Sequence, residues 1–194
     1  MVASDPLQDL RNYLNESATI TTDAQLRNYV KASSLTLEGD ALPIKVNLHE
    51  AESYIGQQVG LTKWFPLSQK RMNRFADAVG DYQFLHIDKA RTSRETCYDG
   101  TIAHGLMVLS LIPTFATHAS LKIRGTQQSI IYGMDRIRFL NPVRIGARIR
   151  GRFTLLSVQE RSMNEVLMRH SVVIEVEGQD KPALITDWII LAVL

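Results

Sequence analysis

The sequence predicts an α+β fold in which an antiparallel sheet wraps around one buried helix. From about residue 130 onward, apolar and polar residues alternate as they do in half-buried strands. The segment 101–119 is the most apolar of the chain and contains no charged residue. With 194 residues, 45% of them hydrophobic, the chain can bury the core of one such domain and still carry a small extension.

Residues 1–55 are predicted to be an N-terminal helical extension, and residues 56–194 the main domain. Two short helices are indicated, one starting at Asp5-Pro6 and one over 22–31. Each has an apolar face that must be buried against something. The extension therefore either shapes the substrate site from the surface of the main domain or adds a stabilising layer to it. The apolar faces are Leu7, Leu10 and Leu14, then Leu26, Tyr29 and Val30.

The main domain begins with a predicted strand over 58–67 and a helix over 68–79. Ser68 suits the N-cap of that helix, and Gly80 suits the left-handed residue that ends it. An irregular loop from Asp81 to His86 and a polar segment over 88–100 lead to the apolar helix over 101–119. Its apolar residues lie on all sides, which indicates burial on most sides.

Three strands follow with clear patterns. Residues 146–155 and 166–176 alternate, which predicts strands with one wet face. Residues 183–194 are apolar on both faces and are predicted to form an inner strand. Turns are expected at Asn141-Pro142 and over 177–180.

Bulk properties narrow the class of protein. A formal net charge of +2 gives no general attraction to nucleic acid or to an anionic membrane. The single cysteine, Cys97, excludes an internal disulfide and fits a reducing compartment. The start of the chain lacks the pattern of a signal peptide, and the apolar run is too short for a membrane helix. We therefore expect a cytoplasmic protein.

Asp81, His86 and Gly105 are the candidate catalytic residues. An acid, a base and a glycine at a helix N-terminus are what the addition of water to an activated carbonyl compound needs. On a helix, Asp81 and His86 would lie about 140° apart, and on a strand they would face opposite ways. Only an irregular loop brings them together. The alternative is that Asp81 caps a turn, His86 is an ordinary core histidine and Gly105 serves packing alone.

Three pieces of the main domain resemble the MaoC-like dehydratases, which include (R)-specific enoyl-CoA hydratases and the nodulation-protein-N-like branch. The first runs from Phe75-Ala76 through Gly80-Asp81 to His86-Ile87-Asp88, and the second is Ile102-Ala103-His104-Gly105. The third runs from Tyr132-Gly133 through Arg138-Phe139-Leu140-Asn141-Pro142-Val143 to Gly146. The resemblance covers roughly residues 55–190, and it implies a hot-dog fold, an antiparallel sheet around a long central helix.

The resemblance also implies a function and a set of site residues. Asp81 and His86 fall at the catalytic acid and histidine, and Gly105 falls where a backbone N–H holds the thioester oxygen. His104 and Gln83 would bind substrate or orient the loop, although the family more often has Asn where Gln83 stands and Pro where Phe84 stands. The implied activity is a hydro-lyase that acts on trans-2-enoyl-CoA, in a homodimer, with coenzyme A only as part of the substrate. A thioesterase of the same fold and a non-catalytic acyl-CoA-binding subunit are the alternatives.

Two further groups of residues allow weaker predictions. Six arginines form the densest basic stretch, which suits either a solvated face or contacts with coenzyme A phosphates. They are Arg136, Arg138, Arg144, Arg148, Arg150 and Arg152. No group of residues has the sequence spacing of metal ligands, so we expect no metal. His49, His118 and His170 lie in unrelated contexts and are expected to be structural.

Overall fold

The computed structural model describes residues 43–194. The two predicted helices of the extension lie outside the described residues, and the predicted boundary at residue 55 stays a prediction. The described helices are α1 Leu48–Ala51, α2 Gln69–Val79, α3 Phe84–Ile87, α4 Lys89–Glu95, α5 Gly105–Ser110 and α6 Ile112–Ala119, with a 3₁₀ turn at Glu52–Tyr54. The strands are β1 Lys45–Val46, β2 Gln58–Leu61, β3 Phe65–Pro66, β4 Lys122–Ile123, β5 Gln128–Phe139, β6 Arg148–Ser162, β7 Glu165–Val176 and β8 Leu184–Val193.

The main sheet is antiparallel and has six strands. Its order is β2-β6-β7-β8-β5, and β3 also pairs with β6. The predicted inner strand is confirmed, because β8 lies between β7 and β5 and is buried on both faces. A separate parallel pair joins β1 to β4. The short strand β1 is thereby hydrogen-bonded to the segment that follows helix α6.

The central helices α5 and α6 pack into the sheet. Ile112 and Phe115 are fully buried, and the Phe115 ring packs edge-on against Phe65 with centroids 5.9 Å apart. Gly60 on β2 lies so close to α6 that a Cβ there would be 1.6 Å from the Ala119 carbonyl oxygen. An antiparallel sheet wrapped around a helix is the hot-dog arrangement, so the predicted fold is confirmed.

The central helix differs in two details from its predicted form. Residues 101–104 are not helical, because Ile102 pairs with Arg144 and the Ala103 N–H donates to Val143. The helix is also interrupted at Leu111, because Pro113 has no N–H with which to continue the ladder of hydrogen bonds. Most residues of the two helices are buried or half-buried, and Leu106 lies on the open side, where the residue is 64% exposed. Across residues 43–194, no helix has the length and apolar content needed to span a bilayer.

Candidate active site

Asp81 follows directly on helix α2, whose two ends are set by the residues that the sequence indicated. The Ser68 hydroxyl accepts a hydrogen bond from the Arg71 N–H, and Gly80 ends the helix with a φ of 73°. The Asp81 carboxylate then accepts a hydrogen bond from the Gln83 N–H at 3.2 Å, which folds the chain into a tight turn. The carboxylate is still half exposed, so it can contact a bound molecule.

His86 lies on the single helical turn α3 and is buried. Its Nδ1 is 2.8 Å from the Ile102 carbonyl oxygen. Because a carbonyl only accepts, Nδ1 must carry the proton, and in the neutral ring Nε2 is left with a free lone pair. The contact therefore fixes the tautomer in which His86 can act as a base through Nε2.

His104 lies between the two predicted catalytic residues. Its Nε2 is 3.1 Å from the Asp81 main-chain oxygen and 3.4 Å from the carboxylate. Its ring stacks on His86 with centroids 3.6 Å apart, and its Nδ1 is 2.7 Å from the Met72 sulfur. Burial lowers the pKa of His104 and His86 adds to this, while the hydrogen bond to Asp81 and the Asp81 carboxylate oppose it. A neutral His104 that donates from Nε2 would hold the Asp81 turn against His86.

The structure brings the three polar groups into one cluster. One carboxylate oxygen of Asp81 and one ring nitrogen each of His86 and His104 lie within 4.8 Å of one another. The pair predicted from the loop thus comes together, although no hydrogen bond joins the Asp81 and His86 side chains in the described part of the chain. Gln83 contributes through its backbone, because its N–H contacts Asp81 and its carbonyl accepts from the His86 N–H.

Two histidines and a carboxylate are also ligand types that transition metals use. The rings of His86 and His104 are inclined by only 29°, however, so their in-plane lone pairs run side by side instead of converging on one point. The Nε2 of His104 is further committed to the Asp81 carbonyl oxygen. The cluster is therefore a poor fit to one ion, and the absence of a metal stays a prediction.

Beside the cluster lies an apolar cavity of about 450 Å³. His86 and Gly105 line it, together with residues of the segments that end β5 and begin β8. Gly105 is the first residue of α5, so its N–H has no acceptor within the helix. A Cβ at Gly105 would be 2.9 and 3.0 Å from two carbons of the Phe139 ring. The glycine thus lets the Phe139 ring approach the helix N-terminus.

Sequence reasoning missed Gln69, which connects two parts of the site. Its amide nitrogen donates to the His86 carbonyl oxygen at 2.7 Å, and its amide oxygen accepts from the Thr101 hydroxyl at 2.6 Å. The first partner is 17 residues away and the second is 32 residues away. No local pattern marks a contact at such separations, so only the folded chain could identify it.

The basic stretch is largely paired with acids of the same chain. Five of its six arginines have a carboxylate partner, and Glu175 is shared by two of them. The pairs are Arg136 with Asp187, Arg144 with Asp99, Arg148 with Glu177, and Arg150 and Arg152 with Glu175. This pairing favours a solvated sheet face over a phosphate-binding surface.

Comparison with known proteins gives concordant matches. The family model described as MaoC like domain matches residues 50–177. Nodulation protein N of Rhizobium meliloti (strain 1021) is 38% identical over 148 residues, which are 76% of this chain and 92% of that protein. The 3-hydroxyacyl-thioester dehydratase Z of Mycobacterium tuberculosis (strain ATCC 25618 / H37Rv) is 36% identical over 135 residues, 70% of this chain and 88% of that protein. The unliganded R-hydratase PhaJ1 from Pseudomonas aeruginosa superposes with a TM-score of 0.57 at 25% identity, over 75% of this chain and 86% of that one.

Proposed function

Because the chain belongs to the MaoC-like domain family, we propose that it is an (R)-specific enoyl-CoA hydratase. It would add water to a trans-2-enoyl-CoA and, in reverse, dehydrate a 3-hydroxyacyl-CoA. Relatives named as a dehydratase and an R-hydratase support the reaction class. The observation that carries the proposal is the position of Asp81 and His86 beside a cavity that Gly105 lines.

Asp81 and His86 would share one water molecule. The Nε2 of His86 has a lone pair because Nδ1 donates to Ile102, and the Asp81 carboxylate offers a second acceptor. The water oxygen forms a bond to C3 as one of its protons passes to the pair. The pair returns a proton to C2, so the net change is addition of one water across the double bond. Positioned acid–base groups of this kind contribute about 10² to 10⁴ in rate.

Gly105 would stabilise the charge that develops on the thioester oxygen. The attack at C3 moves electrons towards that oxygen, which then needs a hydrogen-bond donor. The Gly105 N–H is free of a helical partner and lies at the positive end of the helix dipole. In the same cavity, Phe139, Leu140 and Leu184 would contact the acyl chain.

We also propose a homodimer formed through β5. This strand pairs only with β8 among residues 43–194, so its other edge is open. Ile131, Tyr132 and Phe139 on this strand are about half exposed. Unpaired edges tend to be covered in native proteins, and a two-fold axis perpendicular to β5 would pair it antiparallel with the same strand of a second copy.

The test is incubation of the purified protein with crotonyl-CoA. Loss of enoyl absorbance supports hydration, release of free thiol would instead indicate a thioesterase, and neither change would indicate a binding subunit. Asp81→Asn and His86→Ala should each lower the hydration rate about 100-fold or more without unfolding the protein. Asp180→Asn and His49→Ala, both at exposed positions outside the cavity, are the matched controls. Retention of more than about a tenth of the rate in either site variant contradicts the assignment.

A further inference from the structure

A second cavity, of about 430 Å³, lies towards the C-terminal end of the central helices. Pro113, Ala116 and Ser120 of α6 and its end line one side, and residues of β1, β4, β5, β7 and β8 and of the segment 124–127 supply the rest. It shares no lining residue with the cavity beside His86. Its volume falls in the range of about 300 to 1,000 Å³ that is usual for small-molecule sites.

The floor of this cavity is apolar and contains one unsatisfied donor. Met168, Trp188 and Ile190 line it and are 1%, 5% and 4% exposed. These side chains come from the neighbouring strands β7 and β8, which hold them in a fixed pattern. The Trp188 indole N–H is buried and has no hydrogen-bond acceptor in residues 43–194.

The rim of the cavity is positively charged. Lys45 and Lys122 lie opposite each other in the parallel β1–β4 pair, and Arg124 follows one residue after β4. Burial lowers the pKa of Lys122, and the neighbouring Lys45 lowers it further. Lys122 also donates to the Thr117 carbonyl oxygen, whereas Lys45 and Arg124 have no acidic partner in the described part of the chain. None of the described residues that line the cavity is acidic.

We propose that this second cavity binds an amphipathic anion with a carboxylate head and a hydrocarbon tail. The carboxylate lies at the rim, where Lys45 and Arg124 can contact it and where its charge offsets the repulsion between Lys45 and Lys122. The tail fills the cavity and packs against Met168, Trp188 and Ile190 on its floor. Charge complementarity selects the head and the apolar floor selects the tail, so neither a simple anion nor a neutral lipid satisfies both parts. The site is independent of the proposed hydration chemistry.

Trp188 can report binding directly. The chain has two tryptophans, and the other, Trp64, stacks against Arg150 and does not line this cavity. A Trp64→Phe background therefore leaves Trp188 as the only indole. Its emission is followed while decanoate, decanol or inorganic phosphate is added below micelle-forming concentrations. Arg124→Gln and Lys45→Gln remove rim charge, and Arg74→Gln removes an exposed arginine elsewhere as the matched control.

We expect saturable binding of decanoate that is about tenfold weaker in Arg124→Gln or Lys45→Gln, as for loss of one charged contact. Arg74→Gln should bind as the parent does, and decanol should bind at least about tenfold more weakly than decanoate. The proposal is overturned if decanoate gives no saturable change, if decanol binds equally well, or if the rim variants have no effect. Displacement of decanoate by inorganic phosphate at similar concentrations would also overturn it, since the tail would then add nothing.

Discussion

Gly105→Ala separates the proposed role of Gly105 from simple packing. The added Cβ would lie 2.9, 3.0 and 3.3 Å from three carbons of the Phe139 ring. Favourable carbon–carbon contacts are about 3.5 to 4.0 Å, so the ring must move by about half an ångström or more. Phe139 is 51% exposed and can move, and it lines the cavity in which the substrate is proposed to bind.

The expected cost falls on activity and not on stability. Overpacking of this kind costs about 1 to 3 kcal/mol, which corresponds to a five- to 150-fold loss in kcat/KM if the substrate site carries it. The fold should not suffer, because alanine favours a helix over glycine by about 0.5 to 1 kcal/mol. The measurements are kcat/KM for crotonyl-CoA and the Tm of the same preparation.

A Phe139→Ala background tests whether the clash is the cause. Without the ring, Gly105→Ala should lose less than about threefold, because the backbone N–H is still present and its position is no longer disturbed. A Gly105→Ala variant within twofold of the parent would refute the steric argument. So would a loss that is equally large in the Phe139→Ala background.

Three further outcomes are expected. His104→Phe keeps a ring against His86 but removes the donor to the Asp81 carbonyl oxygen, so kcat should fall about tenfold with little change in KM. His104→Gln should recover part of this loss. Equal rates in the parent and both variants would count against a positioning role for His104. Burial lowers the pKa of His170 from 6.5 to about 4. As pH falls, this histidine therefore takes up a proton in the unfolded chain before it does so in the folded protein. About 2 kcal/mol of folding stability should be lost between pH 7 and pH 5. Urea unfolding of His170→Leu should lack this part of the pH dependence, and parallel curves for both proteins would contradict it. Light scattering at micromolar concentration should give twice the 21.9 kDa mass of the chain, and a monomer would refute the pairing through β5.

Much of the fold could be predicted because its patterns are local. Alternation marked β6 and β7, two apolar faces marked β8, and the cap at Ser68 with Gly80 marked both ends of α2. The predicted strand over 58–67 was interrupted between β2 and β3, where Thr62 exchanges two hydrogen bonds with Gly151 of β6. That interruption depends on a partner 89 residues away, which no local pattern contains.

The candidate site was predictable in its residue types but not in its arrangement. Asp81, His86 and Gly105 were marked by a helix end, a loop and a helix start, all of which are local features. The stacking of His104 on His86 depends on how α5 approaches the loop after α2, which is a property of the tertiary fold. The second cavity was not predicted, because β1, β4, β5, β7 and β8 meet only in the folded chain.

The contacts of Gln69 bear on how the substrate range of this protein could be altered. One amide, held on the first turn of α2, contacts both the His86 carbonyl and the Thr101 hydroxyl. If its two ends were exchanged, the amide oxygen would face the His86 carbonyl oxygen and that contact would be lost. A library that varies the cavity wall at Leu140 or Leu184 leaves this link untouched. One that varies residue 69 or 101 would misalign the proposed reacting groups even though neither side chain lines this cavity. Engineering effort is therefore best confined to the β5 and β8 side of the cavity.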